Sequence, residues 1–169
     1  MTKKNLIVGQ SGGPTAVINS SLYGVVSEGI AHSDEIGEVY GMVNGIEGFL
    51  EDRILNFREA LPGEQLDYLK HTPGAYLGSC RYKLPEIHED RDIYEKLFGI
   101  LNKLSIDTFI YIGGNDSMDT IKKLSDYCHS YRTEAEIYRC AKTIDNDLAL
   151  TDHTPGFGSA AKYIGASTK

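Results

Sequence analysis

Basic residues are scarce relative to acidic ones. Lys plus Arg is 17 against 24 Asp plus Glu, a formal net charge of −7, which argues against nucleic acid or an anionic membrane as the main partner. Cysteine is sparse: Cys80, Cys128 and Cys140 are an odd set without a C-x-x-C pair. That excludes a disulfide framework or a zinc ribbon and fits a reducing cytoplasm. The five histidines have no metal-ligand spacing. Long hydrophobic runs are missing too. The opening MTKKNLIVGQSGG holds one short apolar run, far below a signal-peptide core or a membrane span. There are no repeats, no low-complexity stretch and no linker. What is present is 169 residues at 41% hydrophobic, enough for one domain with a real core.

Hydrophobic periodicity alternates along the chain. Residues 5–8 (NLIV) read as a buried strand running into GQSGGPT. Val17, Ile18, Leu22, Val25, Val26 and Ile30 then follow a helical period, with Pro14 near the first turn. Residues 38–42 read as a second strand and NGIEGFLED as a glycine-punctuated loop. Residues 63–70 read as a short helix and 90–104 as a longer one, with Ile93, Leu97, Ile100, Leu101 and Leu104 on one stripe. TFIYI at 108–112 has no polar alternation, as in a strand covered on both faces. Helical spacing returns over 117–127, residues 136–140 read as a strand, and KTIDND follows as a loop. A helix has just begun in TPGFGSAAKYIGASTK when the sequence stops at Lys169, so a downstream portion is expected to be missing. Strand and helix in alternation predict an α/β fold, with a mainly parallel sheet between two helical layers.

In open parallel sheets ligands collect beyond the carboxyl ends of the strands. Three loops follow strands directly: GQSGGPT, GGNDS and KTIDND; a fourth segment, GAYLGSCR, lies between helices. Their glycines let backbone N–H groups approach a phosphate, and a following helix adds its positive end. The Walker A pattern is absent. A G-x-G-x-x-A match at 156–161 follows LTDHTP rather than a strand, so it is not a dinucleotide fingerprint. In KTIDND, Asp145 and Asp147 stand one residue apart, with Lys142 upstream. Such a pair serves either as a base beside a magnesium–water shell or as an Asx-rich turn facing solvent.

Six segments in order, SGGPTAVIN, GIEGF, LGSCR, IGGNDS, KTIDND and TPGFGSA, make the chain resemble the N-terminal part of a phosphofructokinase. KTIDND is the most specific of them, whereas lipid kinases and NAD kinases carry similar glycine–acid loops. The resemblance implies a three-layer, Rossmann-like domain that spans residues 1–169, binds the donor, carries the catalytic groups and stops before the sugar-binding portion. Within the family, ATP-dependent members typically have GGDGS and GTIDND. Diphosphate-dependent members place a second acid in the glycine loop and a lysine before TIDND, and this sequence has Asp116 and Lys142 there. Glycine leaves room for the α-phosphate of ATP; aspartate fills that room and repels the anion, while lysine supplies a cation for the shorter donor.

The activity so implied is reversible transfer of a phosphoryl group from diphosphate to the 1-hydroxyl of fructose 6-phosphate, with Mg2+ as cofactor. Asp145 matches the general base, Thr143 a sugar or phosphoryl contact, and Arg81 an arginine that neutralises the transferring group. Asp116 and Lys142 complete the catalytic set, and Lys142 also faces the sugar side. Gly12, Gly13, Gly114, Asn115, Asp116 and Ser117 are expected around the donor. Two positions depart from the family pattern. Asn115 stands where the magnesium carboxylate is usual and binds the ion more weakly, so Mg2+ is expected to ride on the diphosphate with Asp116 or Asp147 helping through water. Ala141 stands where proline often precedes the lysine. The alternatives are an ATP-dependent 6-phosphofructokinase and an inactive phosphate-binding fragment. The full-length protein is expected to be a cytoplasmic homo-oligomer, and exposed apolar surface on the short chain predicts self-association.

Overall fold

The computed structural model describes residues 3–168. Along it run β1 (Lys4–Gln10), α1 (Ile18–Ala31), β2 (Ile36–Met42), α2 (Gly45–Leu50), β3 (Ile54–Asn56), α3 (Phe57–Ala60) and a 3-10 helix (Gly63–His71). Then come α4 (Arg91–Lys103), β4 (Ile106–Gly113), α5 (Asn115–Tyr131), β5 (Glu136–Ala141) and α6 (Phe157–Ser167). The strands form one sheet in the order β3-β2-β1-β4-β5. All pairings are parallel except that of the edge strand β3 with β2.

Each central strand feeds two cores, one on each face. Ile7 packs with Phe109, Tyr111 and the apolar stripes of α4 and α5, through Leu97, Phe98, Leu101 and Leu124. Its neighbours Leu6 and Val8 pack on the other face with Ile18, Leu22 and Val26 of α1 and Leu69 of the 3-10 helix. This is the expected three-layer α/β arrangement, and it explains why NLIV and TFIYI lack polar alternation. The chain leaves β1 toward β2 and returns to β4 on the opposite side of β1. The crevice at a topological switch point therefore opens between the loops that follow β1 and β4.

Three details differ from the sequence reading. Residues 45–50, expected as loop, form the helix α2. Gly48 answers to close packing rather than to a turn: a Cβ there would stand 1.7 Å from the Val43 carbonyl oxygen. Entry into α2 uses left-handed backbone at Asn44 (φ 61°) and Gly45 (φ 60°). The short β3 and α3 carry too few residues to show a period. Helix α5 also begins two residues earlier than its apolar spacing indicates, which puts Asn115 and Asp116 in its first turn.

Candidate active site

A cleft of about 790 Å³ opens at the carboxyl end of the sheet. Gly12, Gly13, Arg81, Gly114, Asn115, Asp116, Ser117, Lys142, Thr143 and Asp145 all line it, so segments far apart in sequence converge as the switch-point rule requires. Asp147 is not in the lining; it accepts a hydrogen bond from Asn115 Nδ2 at 2.5 Å.

The first wall is the turn after β1. Gly12 takes φ 76°, a conformation that disfavours side chains, and a Cβ there would lie 3.3 Å from Lys142 Nζ. Ser11 N donates to the Ile112 carbonyl at 2.9 Å, which fixes the turn to the end of β4. The second wall is the junction of β4 and α5. Gly113 leaves room for the Ser117 side chain, whose Oγ would lie 2.0 Å from a Cβ at that position. The backbone N–H groups of the first turn of α5 face the cleft end of the helix, where the dipole favours anions. Asp116 is exposed at this same turn.

The third wall is KTIDND. Lys142 N donates to the Gly113 carbonyl at 3.0 Å, so β5 delivers this loop against the glycine pair. The Lys142 side chain is only 3% exposed, and its Nζ donates to the Gly13 carbonyl at 2.5 Å. It forms no ion pair with a carboxylate among the described residues, and burial pushes its pKa below the ordinary lysine value. Asp145 is held by a short local turn, its N–H donating to Thr143 Oγ1 at 3.0 Å. Asn146, at φ 54°, pins the loop further: its Nδ2 donates to the Asp152 carbonyl at 3.1 Å and its Oδ1 accepts from Thr154 N at 3.0 Å. TPGF thus serves as a strut under KTIDND, with Thr154 Oγ1 donating to the Thr143 carbonyl.

Several lining residues are absent from the expectations drawn above: Ser11, Tyr82, Lys83, Glu86, Asp119, Thr120 and Lys123. Asp119 and Lys123 had a sequence signal, since they lie one and two turns along α5 from Asn115. Glu86 had none, because its irregular loop has no period to extrapolate. Among the described residues, no three Asp, Glu, His or Cys side chains gather as a metal cluster. No helix there is long and apolar enough to cross a membrane.

A doubly wound α/β sheet thus sets a buried ammonium, without a carboxylate partner among the described residues, between glycine-rich strand-end loops. The pattern of the phosphofructokinase family matches residues 5–169, and the chain belongs to that family. The pyrophosphate–fructose 6-phosphate 1-phosphotransferase of Halomonas elongata is 43% identical over 168 residues, 99% of this chain and 40% of that protein. The enzyme of the same name from Methylococcus capsulatus is 44% identical over 170 residues, again 40% of its length. The crystal structure of a pyrophosphate-dependent phosphofructokinase from Nitrosospira multiformis superposes with a TM-score of 0.90 at 40% identity, over 98% of this chain and 40% of that one. The chain therefore spans about 40% of the length of the curated relatives it matches.

Proposed function

We propose that this chain forms the donor-binding and catalytic part of a diphosphate–fructose-6-phosphate 1-phosphotransferase, a cytoplasmic glycolytic enzyme whose sugar-binding groups lie in sequence beyond it. The observation that carries the reading is Lys142: a buried ammonium with no carboxylate partner is a costly arrangement unless an anion completes it. Asp116, on the first turn of α5 in the same cleft, is the complementary element. It occupies the space that the α-phosphate of a nucleotide would take and repels it, while diphosphate ends short of it.

In this reading Gly12, Gly13 and the N–H groups at Gly114–Ser117 hold the diphosphate, with Lys142 and Arg81 neutralising its charge. Asp145 accepts the proton of the sugar 1-hydroxyl, and the Thr143 hydroxyl fixes that carboxylate or contacts the transferring group. The oxygen donors beside the cleft suit magnesium. Asn115 gives its amide N–H to Asp147, which leaves the amide carbonyl oxygen available next to a carboxylate. One amide oxygen and one carboxylate, with no cluster of three metal-ligating side chains among the described residues, fit an ion that brings phosphate and water as its other ligands. When bound, Mg2+ supplies neutralisation of the phosphoryl oxygens, and Asn115 and Asp147 are the residues that would hold it.

Calorimetric titration of the chain with diphosphate and with ATP tests the reading. Diphosphate is expected to bind and ATP to bind far more weakly. Replacing both Asp116→Gly and Lys142→Gly should lower diphosphate affinity and bring measurable ATP binding. A double variant that binds no ATP would refute the steric argument, and a wild-type preference for ATP would refute the donor assignment. Formation of fructose 1,6-bisphosphate, measured with each donor, extends the test to the transfer itself.

A further inference from the structure

The segment that presents Arg81, residues 79–90, contains neither helix nor strand, yet it is fixed on both sides of that arginine. On the near side Ser79 Oγ donates to the Gly12 carbonyl at 2.6 Å, and Ser11 Oγ donates to the Cys80 carbonyl at 3.3 Å. On the far side Tyr94 Oη donates to the Pro85 carbonyl at 2.7 Å. There Lys123 Nζ also contacts three oxygens: the Leu84 carbonyl at 2.9 Å, Glu86 Oε1 at 3.0 Å and Asp119 Oδ2 at 2.9 Å.

An ammonium has three protons, and in Lys123 each has a protein acceptor. Its side chain is only 9% exposed. Although Lys123 lines the cleft, it has no donor left for a phosphate oxygen. Lys142 differs, since among the described residues one protein acceptor holds it, the Gly13 carbonyl. Of the lysines that line the cleft, Lys142 and Lys123 are thus sorted by their bonds into one that meets an anion and one that holds protein to protein. Lys123 ties the Arg81 segment to α5, the helix that carries Asp116 in its first turn.

We propose that Lys123 is a positioning residue for the donor: with Glu86 and Asp119 it fixes the Arg81 segment against α5 and so sets the distance between Arg81 and Asp116 across the cleft. This rests on the donor-binding reading above. Misplacing a charged ligand contact by an ångström is enough to weaken binding, so Lys123→Met should lower diphosphate affinity roughly tenfold.

The experiment is calorimetric titration with diphosphate of the wild-type chain, Arg81→Ala, Lys123→Met, the double variant and Glu86→Gln, each checked for folding by circular dichroism. Lys123→Met should add nothing further in the Arg81→Ala background, because it acts through that arginine. Equal losses in both backgrounds, or no loss in either, would overturn the proposal. Glu86→Gln provides a variant of opposite electrostatic sign and keeps the test open should Lys123→Met not fold. Removing a carboxylate from an anion cleft raises affinity if charge alone matters, whereas a loosened tether lowers it. A fall supports the tether and a rise overturns it. If Arg81→Ala itself leaves diphosphate affinity unchanged, the donor-site reading of Arg81 has failed, a result distinct from failure of Lys123 alone.

Discussion

Burial withdraws the Lys142 ammonium from water, with the Gly13 carbonyl as its hydrogen-bond partner, so its charged form is disfavoured. The sign of the resulting pH dependence follows from proton counting. Between the lowered folded value and the ordinary 10.5, the unfolded chain holds the proton and the folded chain does not. Stability contributed by this group therefore rises as pH increases through the folded value, and the gain is complete above 10.5. Diphosphate reverses the preference, since an anion beside Nζ favours the ammonium. Its affinity should fall at a lower pH than an exposed lysine would dictate, and binding on that limb should take up protons. Titrations in buffers of different ionisation enthalpy measure the uptake directly. Lys142→Met should abolish it and weaken diphosphate binding about 10–100-fold, the range of a hydrogen bond to a charged group. Proton uptake that survives the substitution would assign the titration elsewhere. The sequence displayed Lys142 and Asp116 through their motifs, because strand-end loops in a parallel sheet must converge, and Arg81 through the LGSCR segment between helices. It did not display how each cation is held, since that depends on carbonyls and carboxylates brought in by other segments, as with Glu86 at Lys123.

At the level of elements, α2 shows how packing overrides local preference. GIEGFL contains two glycines that weaken a helix, and the sequence reads as a loop for that reason. In the fold the Gly48 Cα lies against the Val43 carbonyl, with Ile46 and Phe49 buried in the core beneath. The obstacle at 1.7 Å is backbone and has no rotamer to change. Gly48→Ala should therefore destabilise the chain by about 3 kcal/mol, the upper end of overpacking effects, despite alanine's higher helix propensity. Thermal unfolding reads this out: an unchanged or raised midpoint would show that the turn before α2 can yield. Elements with a strong period, such as α1, α4 and the three long parallel strands, were legible because burial on one stripe or both faces leaves a pattern. α2, α3 and β3 were not, because each is too short for a period and is stabilised by contacts from outside itself.

Across the whole molecule, burial is unevenly distributed. β1, β2 and β4 are enclosed, but β5 is the last strand of the sheet and its Tyr138 side is open. Helix α6 has no buried residue along its eleven, although it carries Tyr163 at 74% and Ile164 at 59% exposure. Ile144 and Leu150 add to the apolar surface on the connection between them. An open parallel edge offers unpaired N–H and C=O groups, and the exposed apolar side chains of α6 offer area, both of which favour association with another chain. A two-fold arrangement through the open edge would set β5 antiparallel to its copy. Sedimentation velocity should therefore show mass increasing with protein concentration. Tyr163→Glu with Ile164→Lys should return the chain toward monomer while leaving its thermal midpoint nearly unchanged, because neither side chain is buried in the isolated fold. A wild-type chain that sediments as a single monomeric species at every concentration would show that the open edge and the bare helix do not drive association.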